Sequence, residues 1–213
     1  MITLENLTIR VGERTLVKRL NLHIAPHDKV VLRGPSGCGK STLLLSIAGA
    51  IPLQEGSIRV NGKKLSTQTL SAIRSQIAFV GQEPVLGAER VRDALLLPFS
   101  FKAHHGQKPD QTTIQKQLHR LHLKSDILDK LCRHISGGEK QRIVLARALL
   151  LKKQIFLADE MTSALDPESK AAVMAELFRP EITLLSVSHD PDWIAACRRE
   201  LVFEDQQLNE VRK

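Results

Sequence analysis

Aromatic residues are scarce in this sequence. They make up 3% of its 213 residues, tyrosine is absent, and there is a single tryptophan. Proteins that hold single-stranded nucleic acid commonly stack bases on aromatic side chains, and no such platform is visible here. The formal net charge of +8 fits nucleic acid, an anionic membrane surface or a nucleotide as a partner. Because the basic residues are scattered rather than clustered, we expect no nucleic-acid partner.

Cysteine and long apolar segments are also limited. Cys38, Cys132 and Cys197 are odd in number and far apart, which argues against a disulfide framework and against a four-ligand zinc site. The first residues lack the basic and apolar regions of a signal peptide, and no uncharged apolar run reaches the length of a membrane span. The sequence therefore predicts reduced thiols and a cytosolic protein.

The most informative segment is a glycine-rich stretch that follows the apolar residues Val30, Val31 and Leu32. It fits the phosphate-loop pattern G-x-x-x-x-G-K-[ST], in which glycines let backbone N–H groups cradle phosphates. Lys40 is expected to reach the β- and γ-phosphates, and the Ser41 hydroxyl to hold Mg²⁺. The apolar residues after the loop predict a helix whose positive N-terminus faces the phosphates. The residues predicted to bind a nucleoside triphosphate are Gly34, Pro35, Ser36, Gly37, Cys38, Gly39, Lys40, Ser41 and Thr42.

Two adjacent carboxylates follow another apolar strand candidate, residues 155–158. In parallel sheets, ligands bind at the carboxyl ends of the strands, which is where Asp159 and Glu160 are predicted to lie. Asp159 is expected to hold Mg²⁺ opposite Ser41, and Glu160 to polarise the water that attacks the γ-phosphate. The alternative is a solvated acidic strand end.

A third motif, Ser136-Gly137-Gly138-Glu139, precedes an apolar helical pattern. Ser136 and Glu139 have the spacing of a helix capping box. The two glycines cost helix stability, which is justified where an anion must approach the backbone closely. The motif is compatible with both functions at once.

The order of predicted elements indicates an α/β fold. Residues 2–33 are β-rich, residues 82–136 form a mostly helical insert, and strands and helices alternate from residue 155 onward. Asp166-Pro167 and Asp190-Pro191 are typical of helix starts. The length allows one nucleotide-binding domain, so a machine with two sites must be a dimer.

Together these motifs resemble the ATP-binding cassette (ABC) ATPases, which carry GPSGCGKS, Gln82, ISGGEKQR, IFLADE, SALD and His189 in the same order. The resemblance implies a P-loop NTPase fold with a RecA-like parallel sheet, ATP and Mg²⁺ as ligands, and ATP hydrolysis. It implies that Gln82 contacts the metal and the water, and that His189 lies near the γ-phosphate. Asp166 corresponds to the D-loop aspartate. The signature residues Ser136, Gly137 and Gly138 would bind ATP held by the other subunit of a head-to-tail homodimer.

The resemblance also implies a single cassette domain over residues 1–213. Residues 1–81 and 155–213 would form the catalytic core with its antiparallel β region, and residues 82–154 the helical subdomain with the signature. Such a bare cassette would act at the cytoplasmic face of the membrane, as a peripheral subunit of a separate permease that docks around residues 91–99. The chain looks similar to bacterial iron-export ATPases in particular. The alternative is a non-transport ABC ATPase that acts on DNA or ribosomes, although no long coiled coil or second phosphate loop is present.

One departure from the family concerns the adenine. ABC ATPases usually stack the base on an aromatic residue, and Val11 stands where that residue would fall. Either Val11 or the guanidinium plane of Arg10 is then left to contact the base.

We therefore predict weak discrimination between ATP and GTP, because an aliphatic contact does not read the polar edge of the base. Competition binding with the two nucleotides tests this expectation. A strong preference for ATP would contradict it.

Overall fold

The computed structural model describes residues 1–104, 106–204 and 206–211. Contacts between Cα atoms divide the chain into two compact units. The first unit contains Met1–Phe79, Gln154–Glu160 and Pro180–Lys213, and the second contains Val80–Lys153 and Met161–Arg179. Residues 161–179 group with the second unit in this division. Their helix packs against the long signature helix of the second unit, a tertiary contact that the local sequence pattern does not contain.

The first unit opens with an antiparallel sheet in the order β2-β1-β4-β5. Its first strand buries the apolar residues Ile2, Leu4, Leu7 and Ile9, which places one side against the core. An Asn-Gly turn joins the last two strands, with Asn61 at φ 47° and Gly62 at φ 78°, as a two-residue hairpin requires. The strands are β1 (Ile2–Val11), β2 (Arg14–Ile24), β4 (Glu55–Val60) and β5 (Lys63–Lys64).

A second sheet in the first unit has the order β10-β9-β3-β8-β7-β6. Its central pairs β3·β8, β3·β9 and β7·β8 are parallel, whereas β10 is an antiparallel edge strand. Every residue of β7 and β8 is buried, which explains their continuous apolar sequences. The strands are β3 (Lys29–Arg33), β6 (Ile77–Val80), β7 (Ile155–Asp159), β8 (Thr183–Val187), β9 (Arg199–Glu204) and β10 (Gln207–Val211). The predicted α/β alternation is confirmed.

Three helices described in the first unit connect these strands: α1 (Lys40–Ile47), α2 (Leu70–Arg74) and α7 (Pro191–Ala196). Helix α1 packs against β7 and β8, with Leu43, Leu44 and Ile47 fully buried. Helix α7 begins as the Asp190-Pro191 pair predicts, because the Asp190 carboxylate accepts hydrogen bonds from two backbone N–H groups of the first turn.

The second unit is helical, as the sequence predicts for the insert. Its α-helices are α3 (Val91–Leu96), α4 (Gln111–Arg120), α5 (Gly137–Leu150) and α6 (Pro167–Leu177), with short 3₁₀ segments at Leu97–Ser100, Lys102–His104, Ser125–Asp129 and Cys132–His134. Helix α5 packs against α3, α4 and α6. Within the described ranges, no helix combines the length and the apolar character that a bilayer crossing requires.

Arg147 on α5 fixes the irregular segment that precedes α3. Its guanidinium donates hydrogen bonds to the carbonyl oxygens of Val85, Leu86 and Ala94 at 3.0 to 3.2 Å. Burial lowers the pKa of this guanidinium. These three hydrogen bonds hold the segment, which has no regular secondary structure, in one conformation.

The apolar core that includes strand β7 contributes to the stability of the first unit. Leu157 in β7 is fully buried, so Leu157→Ala should lower the free energy of unfolding by about 2 to 5 kcal/mol through lost burial and a residual cavity. Denaturant unfolding measures this change. Lys64→Ala, at an exposed position in β5, is the control and should shift it by less than about 0.5 kcal/mol. Equal effects of the two substitutions would contradict the assigned core.

Candidate functional site

The predicted phosphate loop lies between the end of β3 and the start of α1. Gly34, Gly37 and Gly39 all have positive φ values, of 142°, 73° and 112°, which residues with a Cβ rarely adopt. Gly39 occupies the N-cap position of α1, so no side chain caps the first turn of the helix. The backbone N–H groups there are suited to bind an anion.

Lys40 is the first residue of α1 and is only 7% exposed. Its ammonium donates hydrogen bonds to the carbonyl oxygens of Gly34 and Pro35, each at 2.9 Å. It also lies 3.8 Å from the sulfur of Cys38. The carbonyl partners are neutral, so the buried positive charge adds to the attraction of the helix N-terminus for phosphate.

The register of the parallel sheet aligns the phosphate loop with the predicted carboxylates. Leu32 of β3 pairs with Val187 of β8, and Val187 pairs with Asp159 of β7. The chain continues beyond this row into the phosphate loop, His189 and Glu160. Because neighbouring strands are about 4.8 Å apart, the three segments leave the sheet within about 10 Å of one another. The sheet thus brings together the residues that the sequence analysis predicted for this edge.

Glu160 and His189 contact each other at this edge. His189 Nε2 lies 3.7 Å from Glu160 Oε1, and the Glu160 backbone N–H donates to the Val187 carbonyl at 3.0 Å. Glu160 has φ 49°, an uncommon conformation for a residue with a side chain. Such a conformation persists where its surroundings impose it, and it is frequent in active sites.

Oxygen donors at the same edge fit a magnesium ion. The Ser41 hydroxyl is in the first turn of α1, and the Asp159 carboxylate, 6% exposed, ends β7. Mg²⁺ is commonly held by one or two carboxylates together with phosphate oxygens and water. The described residues contain no cluster of three or more His, Cys, Asp or Glu side chains that could hold a metal. A site shared with phosphate oxygens fits the Ser41 and Asp159 donors.

The second unit carries the predicted signature at the start of α5. The Ser136 hydroxyl accepts from the Glu139 N–H at 3.1 Å, and the Glu139 carboxylate accepts from the Ser136 N–H at 2.7 Å. The capping box is therefore present.

The two signature glycines, Gly137 and Gly138, differ in what surrounds them. A Cβ on Gly138 would lie 3.1 Å from the Ala164 carbonyl oxygen and from the Leu165 side chain, so this glycine permits close packing inside the unit. A Cβ on Gly137 would meet nothing within 4 Å. Internal packing therefore explains Gly138 and does not explain Gly137.

Gln82 and Asp166 also belong to the second unit. Gln82 is exposed, and its carbonyl accepts a hydrogen bond from the Gln141 side chain at 3.4 Å. The Asp166 carboxylate caps α6 by accepting from the Ser169 N–H at 2.9 Å. Hydrogen bonds from the Ser169 side chain and backbone lower the pKa of Asp166, so this carboxylate is charged at neutral pH.

The predicted base-contacting residues, Arg10 and Val11, are the last two residues of β1. Val11 is 55% exposed, and Arg10 forms an ion pair with Glu55 at 3.2 Å. The phosphate loop adjoins a pocket of about 710 Å³ that neither residue lines. Sequence reasoning missed this pocket because residues almost 200 positions apart form it and no motif marks them. Its lining residues are Arg14, Thr15, Leu16, Pro35, Cys38, Phe203, Glu204 and Gln206.

Comparison with known proteins decides the family. The model of the ABC transporter family matches residues 17–163. The chain belongs to the ABC transporter family. As a member, it is an ATPase that couples ATP hydrolysis to transport.

Curated relatives in this family have different cargoes. The chain is 34% identical over 198 residues to the probable iron export ATP-binding protein FetA of Escherichia coli K12, covering 91% of this chain and 87% of that protein. It is 32% identical over 215 residues to the glutamine transport ATP-binding protein GlnQ of Bacillus subtilis 168, covering 97% of this chain and 87% of that protein.

A solved structure has the same fold. It is the dimeric post-hydrolysis state of an ATP-binding cassette bound to ADP and phosphate, with a TM-score of 0.87 and 27% sequence identity. The match covers 100% of this chain and 98% of that chain. Both the ABC cassette fold and the predicted family are confirmed.

Alkylation of Cys38 should block ATP binding, because the added group would occupy the space beside the Lys40 ammonium and the phosphate loop. N-ethylmaleimide labelling followed by ATP titration measures the effect. Cys38→Ser is the control and should bind ATP with or without the reagent, which separates this site from Cys132 and Cys197. A protein fully labelled at Cys38 that binds ATP with unchanged affinity would contradict the prediction.

Proposed function

We propose that this chain is the ATP-hydrolysing subunit of a membrane transporter, that it works as a homodimer beside a separate permease, and that its cargo is a metal ion, with iron as the first candidate. The observation that carries the proposed chemistry is the row Leu32, Val187 and Asp159 across the parallel sheet. It aligns the phosphate loop, the Asp159 carboxylate and the Glu160–His189 pair along one edge.

In this proposal the phosphates of ATP are held by the phosphate loop and the first turn of α1, residues 34–42. The Lys40 ammonium neutralises the β- and γ-phosphates, and the α1 N–H groups hydrogen-bond to their oxygens. Ser41, Asp159 and Gln82 would hold Mg²⁺, which would supply charge neutralisation for the phosphates.

Glu160 acts on the attacking water in this proposal. Its carboxylate accepts a hydrogen bond from the water and draws a proton away from it as the water approaches phosphorus. His189, within 3.7 Å of that carboxylate, orients it and hydrogen-bonds to the γ-phosphate. Both residues act by positioning and by stabilising charge, since phosphoryl transfer requires little covalent chemistry from the protein.

The signature is proposed to complete the site of a second copy of the chain. Two observations support this: Gly137 has open space where a Cβ would be, and α5 begins at this residue, so that the positive N-terminus of the helix lies beside it. The related cassette with 27% identity is a dimer. Ser136, Gly137 and Gly138 would then bind the γ-phosphate held by the other copy, with Asp166 close to the same interface.

The proposal also assigns a function to each part of the chain. Residues 1–81 and 155–213 would carry the catalytic core, and residues 82–154 the helical subdomain with the signature. The permease would dock on this subdomain around residues 91–99. In the second unit, Val85 is 75% exposed and Phe101 is 57% exposed, so the flanks of that segment offer apolar surface to a partner.

Peripheral attachment to the cytoplasmic face of the membrane follows from a separate permease. The excess of Lys and Arg over Asp and Glu, 31 against 23, suits an anionic membrane surface. Iron is proposed as cargo on the strength of the 34% identity to an iron export ATP-binding protein.

Glu160→Gln should leave ATP binding intact and lower turnover by about 100-fold or more, because the amide does not accept a proton from water. ATP would then hold the variant as a dimer, which light scattering detects. Asp126→Asn removes an exposed carboxylate of the segment Ser125–Asp129 and is the control, with turnover expected to be unchanged. Parental turnover by Glu160→Gln would refute the role of Glu160.

The partner and the cargo are tested by purifying the tagged chain from membranes in mild detergent and identifying what accompanies it. We expect a polytopic membrane protein. In cells that lack the native gene, wild-type chain should lower cellular iron, whereas Glu160→Gln should not. Zinc and manganese contents serve as internal controls. Ribosomal or DNA-repair proteins in place of a permease would overturn the transport proposal, and unchanged iron would overturn the cargo alone.

A further inference from the structure

His189 has a side chain that is 59% exposed, although the proposed reaction requires it to stay close to Glu160. Exposed side chains change rotamer within nanoseconds, so the place of this imidazole depends mainly on the backbone that carries it. That backbone leaves the fully buried strand β8 at Val187 and enters α7 at Pro191. The contacts that fix α7 relative to β8 therefore decide where His189 lies.

The single tryptophan of the chain makes one such contact. Trp193 on α7 is 1% exposed, and its indole N–H donates to the Ser186 hydroxyl at 2.9 Å. Ser186 belongs to β8 and is fully buried. The hydrogen bond closes a loop made of residues 186–193, with His189 near its middle. Because the bond lies in a low-dielectric interior, it restrains both partners strongly.

Ser186 also joins this closed loop to the strand that precedes the phosphate loop. Its hydroxyl donates to the Val30 carbonyl of β3 at 3.1 Å. Strand β3 ends at Arg33, and the phosphate loop begins at the next residue, Gly34. The hydroxyl thus accepts from α7 and donates to β3, which uses both capacities of a serine side chain. One residue links the helix after His189 to the strand before the phosphate loop.

Two further hydrogen bonds hold the backbone on either side of His189. The Asp190 N–H donates to the Ser188 hydroxyl at 3.1 Å, and the Asp190 carboxylate accepts from the Trp193 N–H at 3.1 Å. All of these residues belong to the first unit. Because the two neighbours of His189 are bonded to each other and to α7, a displacement of Trp193 would displace the imidazole as well.

We propose that Trp193 and Ser186 are positioning residues for His189, and that their hydrogen bond keeps the imidazole beside Glu160 at the edge that carries the phosphate loop. Both side chains are buried, so they act through His189 rather than on the substrate. The inference rests on the catalytic role proposed for His189 and extends it to two residues that no motif marks.

NMR of the histidine side chains in the nucleotide-free protein tests the positioning directly. The His189 ring signal is assigned by its loss in His189→Gln. Trp193→Phe keeps an aromatic ring and removes the N–H, and Ser186→Ala removes the acceptor but keeps the indole. Both variants should shift or broaden the His189 signal. Because the indole is retained in Ser186→Ala, a shift in that variant does not arise from the loss of its ring current.

Turnover measures the consequence for the reaction. Each variant should lower kcat by about threefold to tenfold and leave the KM for ATP within about twofold of the wild-type value, because the phosphate loop itself is unchanged. The double variant Trp193→Phe/Ser186→Ala should be about as slow as either single variant, since both substitutions remove the same hydrogen bond.

Cys197→Ala is the control, because it removes a buried side chain just beyond α7 and leaves both hydrogen bonds of Ser186 in place. It should have the His189 signal and the turnover of the wild type. A wild-type His189 signal in Trp193→Phe and Ser186→Ala would overturn the inference, whatever their turnover. Additive losses of kcat in the double variant would also overturn it. A displaced His189 signal with wild-type turnover would support the positioning and contradict the catalytic role proposed for His189.

Discussion

The register between β3, β8 and β7 is the constraint on which the site depends. Hydrogen bonds between parallel strands fix Leu32, Val187 and Asp159 in one row, and the chain beyond each residue leads into the proposed site. A shift of one residue in β7 would turn its side chains to the opposite face and displace both carboxylates. The fully buried strands hold this register through the apolar core that surrounds them.

Local motifs predicted much of this arrangement from sequence. The phosphate loop, the strand before Asp159 and the helix starts at Asp166 and Asp190 each depend on a few neighbouring residues, so their structure is encoded locally. The capping box of Ser136 and Glu139 is another case, since both hydrogen bonds form within one helical turn.

Features made by residues far apart in sequence were not predictable in this way. The pocket beside the phosphate loop joins Arg14 to Gln206, and only the folded sheet brings these positions together. Likewise, the packing of Gly138 against residues 164–165 emerges only in three dimensions. The contacts between residues 161–179 and α5 also leave no local pattern in the sequence.

The central claim is that each ATP lies between Glu160 of one copy and Gly137 of another, and mixing two inactive variants tests it most directly. Glu160→Gln removes the water-polarising carboxylate, and Gly137→Asp places a negative charge at the signature without a clash inside its own chain. Each variant alone should be nearly inactive. In an equimolar mixture, a mixed dimer contains one site with both an intact Glu160 and an intact Gly137, so ATP hydrolysis should reappear. A mixture as inactive as its two components would contradict the account.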